Sequence, residues 1–200
     1  MLLRHRVPRI ESGPSRTNKG FEHLSDEWVA VLRWLQANKI EHVLIGPAAE
    51  AIRGRADATG PVAIVPEPYT RNFDRLTRAL VAAGARIRID GEPETTPTKL
   101  TADKLARGTR WTLRCGSHDL DIERCGGRGA NATPRYQELL YEANRFEIEP
   151  GLRVEVASPE DLEHFAQLRR TGTAPEIRIS RGADNRRPVP RQEREEEKAR

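Results

Sequence analysis

The chain has 200 residues, 36% of them hydrophobic, with a mean hydropathy of −0.71 and a net charge of +4. That length holds about one domain with tails, and no apolar run reaches the ~18 residues that a membrane span needs. The basic excess sits at the ends: residues 1–20 carry Arg4, Arg6, Arg9, Arg16 and Lys19 against Glu11 alone, and residues 171–200 carry eight basic against six acidic side chains. The middle is slightly acidic, which argues against a folded basic face of the kind that nucleic-acid domains display.

Residues 1–20 lack apolar periodicity and contain several chain breakers, so a flexible basic arm is expected there. Ser25 caps a first helix in which Trp28, Val31, Leu32 and Leu35 form one buried stripe, and Asn38 closes it. The run HVLI at 42–45 reads as a buried strand ended by Gly46, and Pro47 starts a short helix to Arg53. VAIV at 62–65 is a second buried strand, stopped by Pro66 and Pro68. Thr70 caps a helix with Phe73, Leu76 and Leu80 on one face and Gly84 beyond its end. ARIRI at 85–89 alternates as a strand does, 92–97 reads as a polar loop, and 101–106 as one helical turn.

Residues 109–114 and 119–123 form a hairpin pattern around Gly116-Ser117. Thr133 and Pro134 open a helix that turns Tyr136, Leu139 and Leu140 inward. A second hairpin pattern, 146–148 and 152–156, flanks Pro150-Gly151, and Ser158-Pro159-Glu160-Asp161 starts a last helix to about Arg170. From 171 onward the pattern dissolves into a charged tail, expected to be disordered. The domain expected over 21–170 is α/β or α+β, a mixed sheet flanked by helices.

The two cysteines, Cys115 and Cys125, match no common zinc spacing and read as free thiols in a reducing compartment. The first residues lack the apolar core of a secretory signal, so a cytoplasmic location is expected.

The string HVLIG, a short helix ending in RGR, a strand after ATG, then WTL…HDLDIE, YQELLYEA and RVEVASPEDLEHF resembles the nucleotidyltransferase superfamily, in its minimal and abortive-infection or toxin–antitoxin branches. No one motif carries the likeness; their order over 41–170 does. The resemblance implies a nucleotidyltransferase-like fold, Mg²⁺ and an NTP as cofactor and substrate, and an RNA or protein acceptor. Such chemistry needs carboxylates that converge on divalent ions from neighbouring strands, together with a glycine turn that admits the triphosphate. The matching positions here are Gly46 for the turn and Asp121 as catalytic acid and metal ligand, with Asp119 two residues back on the same face; Arg53 and Arg55 read either as a pair that steers phosphate or as a solvated pair.

The chain departs from that pattern at decisive places. Gly46 is followed by Pro47, which has no N–H to offer a phosphate. The strand expected to present Asp-x-Asp reads Pro61-Val62-Ala63, so two of three metal carboxylates are missing. Asp57 and Glu67 are the nearby acids that stand in for them only if their loops turn inward. His118 reads as an exposed turn residue, and its neighbour Ser117 makes no triad with it. The expectation is therefore a catalytically impaired module that binds a nucleotide, RNA or a partner protein of the toxin–antitoxin type. Two alternatives stand beside it: an active metal-dependent transferase acting on RNA or protein, and an adaptor that uses its basic termini.

Overall fold

A computed structural model describes residues 7–89, 94–127 and 132–172, with six helices and eight strands among them. The chain begins with helix α1 (Asp26–Ala37), strand β1 (His42–Ile45), helix α2 (Gly46–Ile52), strand β2 (Val62–Pro66) and helix α3 (Thr70–Ala82). Strands β3 (Arg86–Arg88) and β4 (Thr95–Pro97) follow, then helix α4 (Ala102–Arg107) and the hairpin β5 (Arg110–Cys115) and β6 (His118–Glu123). Helix α5 (Tyr136–Glu142), the hairpin β7 (Asn144–Glu149) and β8 (Leu152–Val156), and helix α6 (Pro159–Thr171) complete it.

All eight strands join one sheet in the order β4-β3-β5-β6-β2-β1-β8-β7. The sheet is mixed. β2 runs parallel to β6 and β1 parallel to β8, while β1–β2, β3–β4, β3–β5, β5–β6 and β7–β8 are antiparallel. The central strands β1 and β2 are almost wholly buried, as their unbroken apolar runs require of strands covered on both faces. α2 packs on both of them and against α6, while α1 lies over β8 and β6. The α+β architecture expected from the sequence is the one observed. No helix among the described residues is long and apolar enough to cross a membrane.

Several boundaries follow the caps read from the sequence. Ser25 accepts from the Trp28 amide at the start of α1, and Ser158 accepts from the Asp161 amide at the start of α6. Others shift. α3 takes Tyr69 rather than Thr70 as its N-cap, and α5 begins after Arg135 rather than at Pro134, while the Thr133 hydroxyl turns to the Arg124 carbonyl instead. The segment 92–97, expected as loop, contributes β4 to the sheet edge. Its backbone pairs with β3, and Arg86 donates from Nε to Thr95 Oγ1 at 2.7 Å. A three-residue edge strand ending in proline carries no alternation to read, because its order comes from the neighbour it pairs with.

Residues 7–20, expected to swing freely, contain no helix or strand but are held against the domain. Pro8 O accepts from the Trp34 indole at 3.2 Å, the Arg16 amide donates to Glu149 at 2.6 Å, and the Asn18 amide donates to Ile148 O at 2.8 Å. The anchors are backbone groups, which an apolar-periodicity reading does not see. Residues 1–6 and the tail beyond Gly172 lie outside the described residues.

Candidate functional site

The alternation of β6 puts Asp119, Asp121 and Glu123 on one face of the strand. Asp121 stands directly across from Ala63 of β2 and Thr112 of β5, and Ala63 in turn pairs with Ile45, the residue before Gly46. The sheet thus brings Gly46, Ala63 and Asp121 into one line. Ala63 is fully buried and supplies no oxygen.

What surrounds the acids is arginine. Asp121, only 1% exposed, accepts from Arg88 NH2 through Oδ1 at 2.7 Å and from Arg110 NH2 through Oδ2 at 2.8 Å. Asp119 accepts from Arg114 Nε at 2.7 Å and from its NH2 at 3.1 Å, with Arg88 Nε a further 3.5 Å away. Glu123 accepts from Arg169 Nε of α6 at 2.8 Å. Burial pushes the Glu123 carboxyl above its ordinary pKa, and the charges of Arg169 and Arg110 oppose that rise.

Arg169 reaches further than Glu123. A Cβ placed on Gly46 would come 3.1 Å from Arg169 NH2 and 3.0 Å from the Ala63 Cβ, so the guanidinium rests over the glycine itself. Gly46 has φ +67°, a left-handed conformation that a side chain disfavours. Arg169 NH2 is buried there without a hydrogen-bond partner. Among the described residues, three carboxylates therefore share one face with four guanidiniums, those of Arg88, Arg110, Arg114 and Arg169. Among the described residues no group of three or more His, Cys, Asp or Glu side chains is placed to hold a metal ion.

The remaining expected residues are placed elsewhere. Arg53 donates from Nε to Ala157 O at 2.7 Å and from NH2 to Asn144 Oδ1 at 2.8 Å, with its charge 5.6 Å above the Phe146 ring. It ties α2 to β7 and β8. Arg55 is exposed and pairs with Glu50 at 3.0 Å and Asp57 at 3.3 Å. Asp57 is 82% exposed, and Glu67 lies past the end of β2 beside Glu41, so neither acid is drawn to Asp121. His118 is buried rather than exposed, with Nε2 3.4 Å from Ser12 Oγ in the N-terminal segment. Cys115 and Cys125 are both free thiols.

Arg88, Arg110 and Arg169 are the site residues that sequence reading passes over. Arg88 and Arg110 occupy the polar positions of alternating strands, where arginine ordinarily reads as solvent-facing. A scan of protein-family models finds no match to this chain, and a search of curated proteins finds none at a significant level.

Proposed function

We propose that the protein is a nucleotidyltransferase-like module that has exchanged metal catalysis for binding, and that its ligand is the phosphate of a nucleotide or of an RNA end. The carrying observation is the pairing of both Asp121 oxygens with guanidiniums, opposite an alanine where a second acid would stand. A divalent ion seeks several converging oxygens with lone pairs to give. Here those lone pairs already accept charge-assisted hydrogen bonds. Among the described residues a dication finds no free carboxylate on this face, whereas a phosphate finds in Arg169 NH2 a buried donor without a hydrogen-bond partner. Arg169 over Gly46 supplies the positive charge at the turn that Pro47 deprives of an amide.

The test is incubation of the whole chain with Mg²⁺ or Mn²⁺, each labelled NTP, and total tRNA. No label transfer is expected, and nucleotide retention in equilibrium dialysis should be the same with EDTA as with Mg²⁺. Transfer that Asp121→Asn abolishes would establish the active enzyme in place of this reading.

A further inference from the structure

At the end of β2 opposite Gly46, the sheet and helices α3, α4 and α5 line a half-open cavity of about 330 Å³. Its lining is largely apolar and rich in rings: Phe73, Leu105, Trp111, Ile122 and Tyr136. β2 ends at Pro66, which lines the cavity together with Pro68. The Trp111 indole lies so close to Gly108 that a Cβ there would fall 2.1 Å from Nε1. Only glycine at 108 lets the ring lie in the wall. The volume is at the lower end of the range for small-molecule sites, which are mostly apolar with a few polar groups that orient the ligand.

Those polar groups carry positive charge. Arg124 and Arg135 both line the cavity and are exposed, and neither guanidinium has an ion-pair partner among the described residues. The acid in the lining, Glu123, is already neutralised by Arg169 at 2.8 Å. Burial first, then the charges of Glu67 and Glu41, hold the Tyr136 phenol well above its ordinary pKa, so it remains a neutral hydrogen-bond donor. An apolar, ring-lined hollow whose two rim cations pair with no described acid, Glu67 and Glu41 lying on the Tyr136 side, suits an anion with an apolar body.

The geometry points to a binding site for a small anion with a flat apolar body, an aromatic carboxylate or aryl phosphate whose ring lies among Trp111, Tyr136 and Phe73 and whose acid meets Arg124 and Arg135. This site does not rest on the reading of Asp121. It is built from the other end of the strands and touches the charged face only through Glu123.

Titration of the full chain with 1-naphthoate, 1-naphthyl phosphate and the neutral analogue 1-naphthol tests it, followed by calorimetry and tryptophan fluorescence. Both anions should bind saturably at one site, about tenfold more tightly than naphthol, the gain that two rim ion pairs supply. The better of the two anions identifies whether carboxylate or phosphate is preferred. In Arg124→Ala/Arg135→Ala the anions should fall to the affinity of naphthol, while unchanged naphthol binding shows that the pocket is intact. Absence of saturable binding, equal affinity for charged and neutral ligands, or anion binding that survives the double substitution would each overturn the proposal.

Discussion

Asp121 accepts one hydrogen bond from Arg88 and one from Arg110, in a strand position that admits almost no solvent. Buried carboxylates of this kind persist because partners match their charge; removing one partner of such a pair costs roughly 3–5 kcal/mol, most of it the penalty of the charge left behind. Glu67 is the contrasting case, an acid whose nearest ionisable neighbour is another acid. Burial first, then a hydrogen bond with Glu41 and the Glu41 charge, push its carboxyl up to about 7 from an ordinary 4.5. The folded chain therefore retains a proton that the unfolded chain releases. Its contribution to stability is full below about pH 4.5, falls as pH rises towards 7, and is then constant. Melting temperatures across this window should drop more in the parent protein than in Glu67→Gln, which has no proton to lose. Parallel curves would show that the two carboxyls do not share one.

At the scale of elements, α6 positions the Arg169 guanidinium that covers Gly46. Its start is specified locally: Ser158 Oγ accepts from the Asp161 amide at 3.2 Å and donates to Asp161 Oδ2 at 2.9 Å, Pro159 stands at the first helical position, and two acids face the positive end of the helix dipole. Gly172 ends it in a left-handed conformation. Ser158→Ala should cost about 1 kcal/mol, which for a domain of this size lowers the melting temperature by about 2–4 °C. Calorimetry reads this directly, and no change would mean that the cap is replaced by solvent. This helix was legible from four consecutive residues. β4 was not, since nothing in Thr95–Pro97 marks it apart from the strand it pairs with.

On the scale of the whole molecule, the N-terminal segment works as a strap. It joins Trp34 and Asn38 through Pro8 O, Asp26 through Ser15, and Glu149 through the Arg16 amide. Glu149 also receives Arg33 through two bonds of 2.6 Å, and that pairing, ahead of the Arg16 amide, holds its carboxyl below the ordinary range. Removing residues 1–18 should destabilise the domain by roughly 2–4 kcal/mol, at ~1 kcal/mol for each net hydrogen bond lost. Trp34, now 2% exposed, should shift its emission to longer wavelength. A truncated chain with unaltered urea midpoint and emission would return the segment to the status of a loose arm.

The order of helices and strands, β4 apart, was determined by the sequence alone, because caps, glycine stops and apolar periodicity act within a few residues of one another. So was the absence of acids at 61 and 63, since proline and alanine carry no carboxylate wherever the strand lies. What Asp121 faces was decided only by tertiary structure. Arg88, Arg110 and Arg169 come from two other strands and the last helix, and charge neutralisation across such separations depends on sheet order and register, which no local pattern encodes.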